Sequence, residues 1–203
     1  MIELPAGSRL VLASASPRRA DLLRSVGLDF DVLPAAIDES VRPSEPPAEY
    51  VARLSAEKAR VVADRVGTDC IVVAADTTVD VDGQILEKPI DAADARRMLA
   101  LLSGRVHLVH TGVTVIGRST SLPAPSPAPS PATIVVETAV VFVEMSPAMV
   151  DWYVGTGEPF DKAGGYAIQG AGGALVRRLD GSVTNVIGLP LAETLELLGG
   201  QPG

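Results

Sequence analysis

Cys70-Ile-Val-Val-Ala-Ala-Asp76 limits the fold more than any other stretch of the chain. An unbroken apolar run that ends on a carboxylate predicts a strand buried within an α/β sheet. Ligands of such sheets gather outside the carboxyl ends of the strands, which puts Asp76 where chemistry can occur. Thr77-Thr-Val-Asp-Val-Asp-Gly-Gln-Ile-Leu-Glu-Lys88 follows, and Asp82-Gly83 between alternating segments signals a two-residue hairpin. That loop length sets Val81 opposite Gln84, Val79 opposite Leu86 and Thr77 opposite Lys88. The hairpin is therefore expected to return Lys88 beside Asp76 and Thr77, with Pro89 ending the pairing. An ordinary salt bridge and a catalytic pair both fit Asp76 and Lys88 at this stage.

A second apolar run, Leu10–Ala13, reads as another buried strand. Ser16-Pro17 then opens a helix, with Ser16 as N-cap and Pro17 at the first helical position. Leu22, Leu23 and Val26 give the helix its apolar face, and Gly27 stops it. Arg18 and Arg19 thus fall among the free N–H groups of the first turn, where the helix dipole favours anions. Two arginines, a tight turn and exposed N–H groups describe a phosphate site, and two solvated arginines remain the plainer alternative.

Asp29–Leu33 predicts a further strand, and Ile37-Asp38-Glu39 a loop. Ser44 and Pro46-Pro47 open a helix reaching about Arg65, with Val51, Leu54, Val61 and Val62 as its apolar stripe. Lys58 falls inside that stripe. It either snorkels outward or projects an ammonium into a cleft, and spacing does not choose between them. A helix over Asp91–Leu102 precedes two long β-rich runs, Val106–Ile116 and Thr133–Val143, expected to pair. The alternating prolines of Leu122–Pro131 forbid helix and remove ladder donors, which predicts an extended, solvated tip. Ser146-Pro147 opens another helix. In the glycine-rich segment beyond it, Gln169 offers a donor and an acceptor suited to a base edge. Leu175–Leu179 and Leu191–Leu198 supply the last strand and helix.

A chain of 203 residues with 47% hydrophobic and 21% charged residues fits one soluble domain. A net charge of −8 argues against general nucleic-acid binding. No apolar run reaches the roughly 20 residues of a membrane span. The opening Met-Ile-Glu-Leu-Pro has no basic stretch of the signal-peptide kind. Cys70, the single cysteine, fits a reducing compartment, so a cytoplasmic location is expected. His107 and His110 lie three apart in a strand-like run, on opposite faces, and make a poor metal pair.

Ser14-Ala-Ser-Pro-Arg-Arg19 resembles the opening signature of the Maf family of nucleoside triphosphate pyrophosphatases. The likeness continues, in order, through Glu57-Lys58-Ala59, Ala75-Asp-Thr77 with Glu87-Lys-Pro89, Asp161-Lys-Ala-Gly164 with Tyr166-Ala-Ile-Gln-Gly170, and Asn185-Val-Ile-Gly-Leu-Pro190. It covers nearly the whole chain outside the proline-rich segment, which the family does not require. The resemblance implies one α/β domain over 1–203 with an insertion at 119–132. Its expected fold is a Maf/inosine-triphosphatase-like mixed sheet with flanking helices, forming two lobes around a nucleotide cleft.

The implied reaction converts a nucleoside triphosphate and water to the monophosphate and pyrophosphate. The resemblance nominates Asp76 as proton acceptor, Lys58 and Lys88 as catalytic cations, and Ser14, Arg18, Arg19, Thr77 and Gln169 as substrate and specificity residues. Glu39 and Asp76 are its candidate ligands for Mg²⁺ or Mn²⁺. Pro17-Arg-Arg19, Ala75-Asp-Thr77 and Ile168-Gln-Gly170 resemble the subgroup acting on dTTP and UTP. The 7-methyl-GTP subgroup instead carries Trp, Gln and Glu at the places of Arg18, Thr77 and Gln169. A 7-methyl-GTP-type enzyme and a weakly catalytic nucleotide-binding regulator of cell division are the alternatives, and a homodimer is implied by family likeness.

Overall fold

The two apolar runs become neighbouring parallel strands that are buried on both faces. A computed structural model of the chain describes residues 8–117 and 131–199. In order, the elements are β1 (Arg9–Leu12), α1 (Pro17–Ser25), β2 (Asp31–Val32), α2 (Pro47–Val66), β3 (Cys70–Val81) and β4 (Gln84–Leu86). Next come α3 (Ala92–Leu102), β5 (Val106–Ile116), β6 (Ala132–Phe142), α4 (Pro147–Gly155), β7 (Val176–Asp180), α5 (Val183–Ile187) and α6 (Leu191–Leu197), with short 3-10 segments at Ala163–Gly165 and Gly170–Leu175. One mixed sheet runs in the order β2-β1-β3-β5-β6-β7, and β4 pairs with β3 off that path. β1 is parallel to both β2 and β3, while β4 and β7 are antiparallel to β3 and β6. The expected pairing of the two long β-rich runs is present as β5 beside β6. Most of the stretch expected as an insertion, at 119–132, lies outside the described residues. Among the described residues no helix is long and apolar enough to cross a membrane.

The chain forms two compact units, one of Met1–Asp76, Thr111–Val135 and Gly188–Gly203, the other of Thr77–His110 and Val136–Ile187. In the first, strand alternation sorts the apolar residues into two layers. Leu10, Leu12, Ile71, Val73 and Ala75 pack with Ala20 and Leu23 of α1 and with Leu189 and Leu198. Val11, Ala13, Cys70, Val72 and Ala74 pack with Ala59 and Val62 of α2 on the other face. The same alternation carries Asp76 to the α2 side. Gly112 has a packing reason of its own, since a Cβ there would overlap the carbonyl of Val51.

Three local expectations are corrected. β3 does not end at Asp76 but continues to Val81, so the carboxylate stands within an unbroken strand. The hairpin register holds for Val81 with Gln84 and Val79 with Leu86, but it stops there and never reaches Thr77 and Lys88. The reason is that the carbonyl of Glu87 accepts from Gly164 N at 3.1 Å, and Pro89 has no donor to offer. Val61 is only half-buried, because the stripe of α2 is centred on Val51, Leu54, Lys58 and Val62, with Ser55 and Ala59 beside them.

In the second unit, α3 and α4 cover Val79, Val81, Leu86, Val109, Val140 and Phe142. The two histidines go to different partners. His110 Nε2 lies 3.4 Å from Asp80, and His107 Nε2 shares a 2.7 Å hydrogen bond with the Tyr166 hydroxyl. The His107 ring meets Phe142 and Tyr166 edge-on, and its buried Nδ1 has no partner among the described residues. Burial pushes the His107 pKa down to about 4 from 6.5. The folded protein thus keeps this ring neutral where the unfolded chain takes up a proton. Stability is expected to be level above pH 6.5 and to fall as pH drops from 6.5 towards 4, by about 3 kcal/mol in all. Urea unfolding across that window checks this. A His107→Phe variant with the wild-type slope would remove His107 as the cause.

Candidate active site

β1 delivers the chain into a turn where Ser14 is buried. Ser16 takes the N-cap place of α1, yet its side chain makes no capping bond. Ser14 braces the turn ahead of the helix, its Oγ accepting from Ser16 N at 3.2 Å and from Arg19 Nη1 at 3.1 Å. Arg19 Nε also donates to the carbonyl of Gly188 at 2.7 Å. Arg19 is thereby pinned in the first turn of α1, with Arg18 half-buried beside it. Desolvation lowers the pKa of Arg19, Asp76 and Glu39 oppose that, and Arg18 adds to it. The fields of two carboxylates therefore reach this guanidinium.

α2 presents Lys58 at the centre of its buried stripe, only 8% exposed. Of the two alternatives left by spacing, snorkelling is not what occurs. The ammonium donates to Asp76 Oδ1 at 2.6 Å and lies 2.7 Å from Glu39 Oε1. Asp76 is equally deep, while the Glu39 side chain is 44% exposed. One ammonium between two carboxylates leaves a net negative charge, and the second carboxylate is the one open to water.

The loop that brings Glu39 in is itself hung from α2. Tyr50 Oη donates to the Glu39 carbonyl at 2.9 Å, and Arg53 Nη2 to the Ser40 carbonyl at 3.1 Å. Arg53 also grips both oxygens of Glu45, at 2.5 and 2.7 Å, and this fork holds the Glu45 carboxyl down at about 2. Sequence reading missed Tyr50, Arg53, Glu45 and Gly188. An arginine on a helix and a glutamate in the preceding loop carry no pairing signal, since they share no helical spacing.

Ser14, Arg19, Glu39, Lys58 and Asp76 are thus brought together within the first unit, with Arg18 adjacent. Thr77, Lys88 and Gln169 belong to the second. Thr77 is half-buried on β3, Lys88 is exposed, and Gln169 is exposed at the start of the second 3-10 segment. Among the described residues no group of three or more His, Cys, Asp and Glu side chains is placed to hold a metal. Glu39 and Asp76 are nevertheless a pair of hard oxygen donors already converging on one cation, which fits Mg²⁺ or Mn²⁺ in chemistry.

This α/β unit sets two guanidiniums and an ammonium beside a pair of carboxylates. The chain belongs to the Maf family, whose model, described as Maf-like protein, matches residues 9–201. The dTTP/UTP pyrophosphatase of Anaeromyxobacter dehalogenans (strain 2CP-C) is 55% identical over 190 residues, covering 94% of this chain and 92% of that protein. The dTTP/UTP pyrophosphatase of Moorella thermoacetica is 49% identical over 94% of each chain. That of Vibrio cholerae is 46% identical, over 94% of this chain and 97% of its own. Among solved structures, the Staphylococcus aureus Ham1 protein is similar at 12% identity and a TM-score of 0.46, over 66% of this chain and 72% of that one.

Proposed function

We propose that this protein hydrolyses nucleoside triphosphates to the monophosphate and pyrophosphate, with dTTP and UTP as its preferred substrates. One observation carries the reading: a buried lysine, Lys58, bridges Asp76 and Glu39 beside the arginine-bearing turn of α1. The identity of 46% to 55% with proteins named dTTP/UTP pyrophosphatase supports the substrate class.

The roles follow from charge and reach. Asp76 accepts a proton from the attacking water, whose oxygen bonds to the α-phosphorus. The bond from that phosphorus to the α–β bridging oxygen breaks, and pyrophosphate leaves with the electron pair. Lys58 holds the carboxylate of Asp76 in place through its 2.6 Å bond. Arg18, Arg19 and Lys88 neutralise the triphosphate and the charge growing on the leaving group. Ser14 keeps Arg19 aimed. Glu39 and Asp76 would hold a divalent ion, which when bound offsets phosphate charge. Arg18, Thr77 and Gln169 set base preference. The amide of Gln169 donates to one atom and accepts from its neighbour, which suits the O4 and N3–H edge of uracil and thymine.

The test is product analysis on purified protein with Mg²⁺ or Mn²⁺ and a panel of triphosphates. Monophosphate and pyrophosphate are expected from dTTP and UTP, faster than from 7-methyl-GTP under matched conditions. Equal or faster turnover of 7-methyl-GTP would overturn the substrate class, and no turnover of any triphosphate would overturn the reaction.

A further inference from the structure

Gln169 stands in a segment that is tied down on both sides. Ahead of it, the buried Tyr166 ring is held by His107 through its hydroxyl. Ala167 N donates to Tyr153 Oη at 3.1 Å. Beyond it, Glu158 accepts from Ala171 N at 2.8 Å with one carboxylate oxygen and from Gly172 N at 3.0 Å with the other. Tyr153 and Glu158 thus hold the segment at its two ends, the phenol at Ala167 and the carboxylate at Ala171 and Gly172. The backbone N–H bonds hold the Glu158 carboxyl below its usual range, which keeps it ionised.

The fit leaves the segment no slack. Gly170 has φ of 70°, and a Cβ on it would overlap Glu158 Oε1. A Cβ on Gly172 would overlap the carbonyl of Ala167 and lie 2.7 Å from Tyr153 Oη. Each N–H meets its own carboxylate oxygen, and a glutamine in the same place would set its NH₂ group against one of the two N–H donors. Nothing in the hydrolysis itself calls on Glu158 or Tyr153.

Rigidity matters here because of the chemistry of an amide. Rotated by half a turn, the glutamine amide exchanges donor and acceptor and becomes complementary to cytosine as well as to uracil. That half turn is about the side chain's own terminal bond; what a fixed segment holds is the place of the amide, whereas on a loose one the amide can follow either base. We propose that Glu158 is a positioning residue: with Tyr153 it fixes the segment that presents Gln169, and so sets the preference for uracil-type over cytosine-type bases. This rests on the base-reading role given to Gln169 above.

The experiment compares kcat and KM for dTTP and dCTP in wild type, Glu158→Ala, Glu158→Gln, Gln169→Ala and the Glu158→Ala/Gln169→Ala pair. Glu158→Ala is expected to raise KM for dTTP about tenfold with kcat little changed, and to cut the dTTP-to-dCTP ratio of kcat/KM about tenfold. Glu158→Gln, which keeps one acceptor, falls between and carries the test if the alanine variant does not fold. The double variant matches Gln169→Ala alone, because the two act through one group. A ratio lost in Gln169→Ala but kept in both Glu158 variants overturns the positioning role and leaves the base-reading role standing. Effects that multiply in the double variant overturn it as well. A Gln169→Ala variant indistinguishable from wild type overturns the base-reading role and this proposal together.

Discussion

Replacing Asp76 by asparagine is expected to lower kcat for dTTP about a thousandfold, within the range that loss of a general base produces. The amide keeps an oxygen that accepts from Lys58, and Glu39 remains 2.7 Å from the same ammonium, so the fold is expected to survive. Binding of dTTP, followed by calorimetry, is expected to change far less than turnover. The contrast between the two measurements is the result to look for, because a variant that had merely lost its structure would lose both. Turnover at the wild-type rate would remove Asp76 as the base. A loss confined to metal affinity, recovered at high Mg²⁺, would leave it the role of ligand alone.

Lys58→Met is expected to cost both activity and stability. The lysine and Asp76 side chains are each 10% exposed, so removing the ammonium strands a buried carboxylate. Glu39, at 44% exposed, can turn to water, but Asp76 cannot. Breaking a buried pair from one side costs about 3–5 kcal/mol, which for a chain of this length lowers Tm by about 10 °C. Removing the second charge as well, in Lys58→Met/Asp76→Asn, is expected to recover most of that Tm and none of the turnover. Equal Tm values for wild type and Lys58→Met would show that the pair contributes nothing to the fold. A double variant no more stable than the single would assign the loss to packing of the lysine stem rather than to the stranded charge.

How legible these features were differs from residue to residue, for physical reasons. Cys70–Ala75 was readable because a strand covered on both faces must be apolar throughout, and the α1 and α2 layers are that cover. The turn at Asp82-Gly83 was readable from local conformation, and both residues indeed have positive φ, 55° and 81°. Where pairing stops was not readable, because it depends on Gly164, a residue distant in sequence that takes the carbonyl of Glu87. Lys58 illustrates the limit for the site. A snorkelling lysine and a buried one occupy the same helical position, and only the strand brought against α2 decides between them. Glu39 was nominated by family likeness alone, since its backing by Tyr50 and Arg53 leaves no mark in the spacing. The start of α1 was legible for a local reason: Ser16 stands at the N-cap with Pro17 behind it, while the hydrogen bond that Ser14 makes to Ser16 N leaves no mark in that pattern.

The suspension of the Glu39 loop from α2 bears on how the site withstands change. Lys58 rides on α2, and so do Tyr50 and Arg53, which hold the carbonyls of Glu39 and Ser40. A substitution beneath α2 that shifts the helix by a fraction of an ångström carries the ammonium and its exposed carboxylate partner along together. Their separation is then set by one rigid body rather than by two elements drifting independently. The ordering entropy of that loop is met when the chain folds, not when a substrate arrives. The contact that does feel such a shift is the one from Lys58 to Asp76, because Asp76 belongs to the sheet. Sequence drift in the α2 layer is accordingly felt first along the line joining helix to strand, and the helix-borne half of the constellation is buffered against it.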